Sequence, residues 1–243
     1  MEGAGAWAGV AAIFGVAAVA QGLSGFGFSL VSIPLLALVV PVKAAIVAGA
    51  MLGLVQSGAI VARDHRHVAW RSAGILIGAS YAGMPIGLFV ITRVEERPLQ
   101  VVIAVTVLVF TGLLWRRVRL ATGSLSAELG VGFTSGVLST STGMSGPPLV
   151  IALQARGVQP SAFRATLATV FVGASVVSLL LFWRAGLITG EAGRVAAAGL
   201  PGLIAGMLIG ELAFRRVDHE RFRAIVLGLL VASAMLSLVG ALI

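Results

Sequence analysis

Two stretches of the chain carry residue types that could handle a solute. The first is Gln21-Gly22-Leu23-Ser24-Gly25-Phe26-Gly27, followed by Ser29, Ser32 and Pro34. The second is Ser139-Thr140-Ser141-Thr142-Gly143-Met144-Ser145-Gly146-Pro147-Pro148. The hydroxyls of Ser24, Ser29, Ser139, Thr140, Ser141, Thr142 and Ser145 can donate to the oxygens of an oxyanion. Gly25, Gly27, Gly143 and Gly146 let backbone approach a ligand closely. After each stretch the chain restarts a helix, near Phe28 and near Pro147. The unpaired N–H groups of a helix start carry a partial positive charge that binds anions. Neither stretch holds an acidic residue, which argues against a cation site built from carboxylates. A small oxyanion is the ligand these residues fit, with Gln21 at the edge of the first stretch. Runs of Gly, Ser and Thr also serve close helix packing, so a structural role stands beside the functional one.

Other polar residues are scattered. Lys43 and Arg164 each begin a long helix after a break and could reach an anion, Arg164 being the stronger candidate; the plainer alternative is snorkelling to headgroups. Glu211 lies within an apolar run, where ionisable residues are functional candidates by default. An i,i+4 pair with Arg215 would explain it equally well. Gln56, Gln154 and Tyr81 either line a path or bond between helices. His65 and His67 fall in a basic loop, and two histidines alone make a poor metal site. The chain has no cysteine, which excludes disulfides and thiolate metal sites. It also lacks GxxxxGK[ST], HExxH and Gly-x-Ser-x-Gly motifs. No catalytic residue, cofactor or metal is therefore expected, and the chain does not read as an enzyme.

The elements that position these stretches follow from composition. Hydrophobic residues make up 58% of the 243 and charged residues 11%, where a soluble domain carries about a quarter charged. Mean hydropathy is +1.06. The chain is expected to be an all-α integral membrane protein. Spans of about 20 apolar residues fall near 43–62, 72–92, 99–115, 160–183, 194–214 and 223–243. Regions 5–41 and 127–155 are each too long for one span and too short for two, and each contains one of the polar stretches. Both read as helix–break–helix hairpins. No basic stretch precedes the first apolar run, so that run is expected to be retained rather than cleaved.

The halves repeat. Ala82-Gly83-Met84-Pro85-Ile86-Gly87 leads to Arg93-Val94-Glu95, as Ala205-Gly206-Met207-Leu208-Ile209-Gly210 leads to Arg216-Val217-Asp218. Gly22 and Pro34 likewise match Gly136 and Pro148. The net charge of +8 would suit nucleic acid, but the arginines sit in short clusters between apolar runs, as topology-setting charges do. If each hairpin returns to its starting side, one side holds 12 of the 17 Lys and Arg. If each broken region crosses once, the split is eight against nine. The bias favours about ten helical segments in two inverted five-segment repeats, residues 1–119 and 120–243. Each repeat opens with a broken-helix hairpin, an arrangement common in secondary transporters.

At the two breaks and at the Ala-Gly-x-x-Ile-Gly…Arg-Val-Glu/Asp ends of both halves, the sequence resembles the sulfite exporter TauE/SafE family. That family's halves open with Gly-x-x-Ser-Gly-x-x-Gly followed by Pro-x-Leu. Here the first copy reads Gln21-Gly22-Leu23-Ser24-Gly25-Phe26-Gly27-Phe28-Ser29, then Pro34-Leu35-Leu36, and the second Ser135-Gly136-Val137-Leu138-Ser139-Thr140-Ser141-Thr142-Gly143-Met144-Ser145-Gly146, then Pro147-Pro148-Leu149. The resemblance implies a bacterial inner-membrane carrier for sulfite, sulfonates or related organic anions, driven by an ion gradient. The expected partners are a small anionic substrate, a coupling ion (H+ or Na+) and the lipid bilayer, with a homo-oligomer as an option and no nucleic acid. An anion channel is the alternative, and a non-transporting membrane subunit a more remote one.

Overall fold

In a computed structural model the described residues are 4–115, 125–155 and 159–214. They form nine α-helices: α1 (Ala4–Ser24), α2 (Phe28–Leu36), α3 (Val42–Asp64), α4 (Trp70–Arg93), α5 (Glu96–Trp115), α6 (Leu125–Ser141), α7 (Gly146–Ala155), α8 (Pro160–Arg184) and α9 (Gly190–Phe214). No strand occurs among these residues. The expected span at 223–243 lies outside them.

Among the described residues five helices are long and apolar enough to cross a membrane: α1, α3, α4, α8 and α9. At 1.5 Å per residue the 23 residues of α3 extend about 35 Å, enough for a hydrocarbon core of about 30 Å. The nine residues of α2 and ten of α7 reach about 15 Å at most, so each covers only half that depth. Apolar side chains point outward, among them Phe89, Leu208 and Leu212, while Gln21, Gln56, Ser57, Ser139 and Ser178 are buried. A polar interior inside an apolar exterior is the arrangement a bilayer demands, and the chain is a multi-pass membrane protein.

Glycines set the helix packing. α1 lies along α9, and α4 along α6. A Cβ at Gly206 would collide with the Gly15 carbonyl, and one at Gly83 with the Phe133 carbonyl. Gly210 approaches Val19 and Gly22 just as Gly87 approaches Val137 and Thr140. Within each half-to-half comparison the partners on α1 and α6 are separated by a constant 118 positions: 15 and 133, 19 and 137, 22 and 140. The left-handed glycines Gly25 (φ 79°) and Gly143 (φ 72°) keep that separation.

This corrects the match of Gly22 with Gly136, which are 114 positions apart. The structure slips the second hairpin by four residues, about one helical turn. Small residues recur every four positions on both helices, at Ala18 and Gly22 and at Gly132 and Gly136. A one-turn slip therefore preserves the small-residue face, and spacing alone does not distinguish the two registers.

Polar contacts fix which helix ends lie together. Arg63, at the end of α3, and Arg164, near the start of α8, both meet Glu211 near the end of α9. Ser72 donates to Glu128 at 3.4 Å, joining the starts of α4 and α6 at that same end of the bundle. Gln100 donates to the Ala37 carbonyl at 2.9 Å, which puts the α2–α3 turn at the opposite end with the start of α5. The two hairpins thus enter from opposite ends of the bundle.

Candidate functional site

Both breaks are made by glycine in a conformation that L side chains rarely adopt. α1 stops at Ser24, Gly25 and Gly27 turn the chain at φ 79° and 101°, and α2 restarts at Phe28. Ser24 stitches this turn. Its Oγ lies 2.7 Å from the Ala20 carbonyl and 2.6 Å from the Phe26 carbonyl, and accepts from Phe26 N–H at 3.3 Å. Phe28 stacks on Phe14 of α1 at 5.7 Å between ring centroids, closing the hairpin. In the second hairpin α6 stops at Ser141, Gly143 turns, and α7 restarts at Gly146.

The breaks meet over one cavity of about 50 Å³. Gln21, Gly27, Phe28, Ser29 and Leu30 line it from the first hairpin, and Ser139, Gly143, Met144, Ser145 and Gly146 from the second. α3 closes it with Gly49, Ala50, Gly53 and Ser57, and α8 with Phe171, Ser175 and Ser178. Gly53 stands near the centre of α3 and Phe171 near the centre of α8, so the cavity is midway along the two long helices. A water needs roughly 10–15 Å³ by this measure. The cavity of about 50 Å³ therefore holds about three to five water-sized groups, the size of one small oxyanion.

Two hydrogen bonds frame it in matching positions. Gln21 donates from Nε2 to Ser57 Oγ at 3.0 Å, joining α1 to α3. The hydroxyls of Ser139 and Ser178 are hydrogen-bonded at 3.1 Å, joining α6 to α8. Gln21 and Ser139 are again 118 positions apart.

The two helix starts differ in what they offer an anion. In α2 the N–H groups of Phe28, Ser29 and Leu30 come before the first intrahelical bond, from Val31 N–H to the Gly27 carbonyl at 3.0 Å, and all three residues line the cavity. Such N–H groups are the ones a helix cannot satisfy internally. In α7 the second and third residues are Pro147 and Pro148, which have no N–H to give. The first hairpin supplies amide donors, while the second supplies hydroxyls and a close glycine wall.

Seven of the expected site residues come together here: Gln21, Gly27, Ser29, Ser139, Gly143, Ser145 and Gly146. The other six lie elsewhere. Ser24 serves the turn. Thr140 donates to the Met84 carbonyl at 2.7 Å, Ser141 to Val137 at 2.7 Å and Thr142 to Leu138 at 3.1 Å, so these hydroxyls hold helices rather than face the cavity. Gly25 packs against the backbone of Arg164. Arg164 is 3% exposed and pairs with Glu211 at 2.7 Å and Asp64 at 3.5 Å. It neither snorkels nor lines the central cavity. Glu211 meets Arg164 and Arg63 across the bundle, and Arg215 is outside the described residues. Gln56 donates to the Ala18 carbonyl and Tyr81 to Gly173, both bonds between helices.

The walls from α3 and α8 were not expected. Their signal was faint: Ser57 and Ser178 are single hydroxyls inside long apolar runs, and nothing in their neighbourhood breaks the helix. They stand 121 positions apart, as do Lys43 and Arg164, so the repeat register could have pointed to them.

No curated protein and no solved structure matches the chain significantly. One protein-family model, described as sulfite exporter TauE/SafE, matches residues 10–236, nearly the whole length and both hairpins. The match spans the apolar exterior and both breaks, and the chain belongs to the sulfite exporter TauE/SafE family.

Proposed function

We propose that the chain is a secondary carrier that moves sulfite, a sulfonate or a related small organic anion across the bacterial inner membrane by alternating access. Its two inverted five-segment units, 1–119 and 120–243, would rock against each other around the central cavity, with an ion gradient (H+ or Na+) as the driving force. The observation that carries this reading is the convergence of two hairpins, entering from opposite ends, on one oxyanion-sized cavity midway along α3 and α8. Three amide donors of α2 and the hydroxyls of Ser29, Ser139 and Ser145 supply what an oxyanion needs. Discontinuous helices at midplane are where secondary transporters hold their substrates.

Counterflow tests the proposal. Proteoliposomes loaded with unlabelled sulfite are expected to accumulate labelled sulfite transiently, because a carrier returns faster when loaded. Uptake that ignores internal sulfite would instead identify a channel. No sulfite or sulfonate movement in either format would remove the anion from the proposal.

A further inference from the structure

Among the described residues the walls of the central cavity are polar but uncharged: one glutamine, Gln21, and six serines, with glycines and apolar side chains between them. The elements that supply these walls carry ionisable residues only near their ends. None occurs between Glu2 and Lys43, between Lys43 and Arg63, between Glu128 and Arg156, or between Arg164 and Arg184. Lys43 and Arg63 each stand ten residues from Gly53, about 15 Å along α3. Glu128 is eleven residues from Ser139, about 16 Å along α6. Arg164 is seven residues from Phe171, about 10 Å along α8, and its guanidinium is turned to Glu211 and Asp64.

Positive potential in the cavity therefore comes from dipoles. The start of an α-helix is worth about half a positive charge, so α2 and α7 together bring at most about one unit. From α2 the amides of Phe28, Ser29 and Leu30 deliver it. In α7 Gly146 alone of the first three residues has an N–H. The serine hydroxyls add donors without adding net charge.

We propose that the central cavity takes its oxyanion as a monoanion, so that sulfite is bound and carried as hydrogensulfite and the sulfite dianion is rejected. The inference rests on the carrier reading above and names the charge state of its substrate.

The argument is electrostatic. Attraction to fixed dipoles grows in proportion to the charge of the anion, whereas the cost of losing hydration grows with its square. A second charge thus doubles the gain and quadruples the cost. A monoanion is matched by about one unit of dipole charge. A dianion leaves a whole charge unbalanced midway along membrane-spanning helices, where a lone charge is strongly disfavoured. The proton of hydrogensulfite finds an acceptor, because a serine hydroxyl accepts as well as donates. A sulfonate group carries one charge and meets the same rule.

The test is binding of sulfite and of chlorate to the purified full-length protein, at pH values on both sides of the second ionisation of sulfite. Chlorate has the pyramidal shape and the electron count of the sulfite dianion but one charge throughout. It is expected to bind across the whole range. Affinity for total sulfite, taken relative to chlorate, should be level while hydrogensulfite predominates. Above the ionisation it should fall about tenfold per pH unit, the linkage of one proton. Titration of the protein affects both anions alike, so the ratio isolates the charge of the substrate. A ratio that holds or rises through the ionisation overturns the inference and leaves the carrier reading standing, and so does sulfite binding without chlorate binding. A protein that neither binds sulfite nor moves it in counterflow overturns both.

Discussion

Gly53→Leu should abolish transport without harming the fold. Gly53 lies near the centre of α3 and lines the central cavity. A Cβ there would stand 3.5 Å from Phe28 Cδ1, ordinary contact, so the first carbon fits without displacing anything. The leucine side chain has four carbons, and a cavity of about 50 Å³ holds about three to five water-sized groups. The side chain therefore fills the cavity. A displaced anion loses at least two of the amide donors at Phe28, Ser29 and Leu30, at about 1.5–3 kcal/mol for each charge-assisted bond. That is roughly 3–6 kcal/mol, more than a hundredfold in affinity. Helix propensity runs the other way, since a mid-helix leucine is favoured over glycine by about 0.8 kcal/mol. The assay is sulfite counterflow, with thermal unfolding in detergent as the control for folding. Gly58→Leu is the matched variant: it lies on the same helix, and a Cβ there meets nothing within 4 Å. It should transport like wild type. A Gly53→Leu protein with wild-type counterflow would mean that the anion does not use this cavity.

Other substitutions separate binding from architecture. Ser24→Leu removes the hydroxyl that bonds across the first break and should lower stability by about 1–3 kcal/mol. Sulfite affinity of the protein that does fold should change little, read by thermal shift with and without sulfite. Gly136→Ala puts a Cβ into the Ser80 carbonyl between α4 and α6, where no side chain can move aside. It should destabilise by about 1–3 kcal/mol or more, measured by thermal unfolding, whereas Gly58→Ala should be neutral.

What could be read from the chain divides by physical cause. The membrane, the two breaks and the helix spans were legible because hydropathy and glycine act locally: α3, α4 and α8 begin and end within a few residues of the expected limits, and α2 restarts at Phe28 as expected. The fate of individual hydroxyls was not legible. Ser139 and Thr140 are adjacent and chemically alike, yet one faces the cavity and the other donates to Met84. Their difference is a rotation of about 100° around a helix whose neighbours are distant in sequence. Arg164 was hidden for the same reason: its partners Asp64 and Glu211 stand 100 positions before it and 47 after it.

The one-turn slip between the hairpins bears on mechanism. In the observed register Gln21 stands opposite Ser139, and Phe28 opposite Gly146. The bulky members of both pairs come from the first half. Phe28 fills space beside Gly53, while Gly146 leaves room that Phe171 of α8 occupies at 3.4 Å from its Cβ position. An aromatic ring thus flanks each hairpin start, from α2 in one case and from α8 in the other. The cavity walls are nearly symmetric in shape but not in chemistry, because α2 begins with three amide donors where two of the first three residues of α7 are prolines. In the proposed carrier an anion held chiefly by α2 would stay with the first hairpin while the second withdraws from it. Such a division of roles would let one hairpin bind while the other gates, so substitutions at Gly27 and Ser29 are expected to change sulfite affinity, and those at Gly143 and Ser145 the counterflow rate.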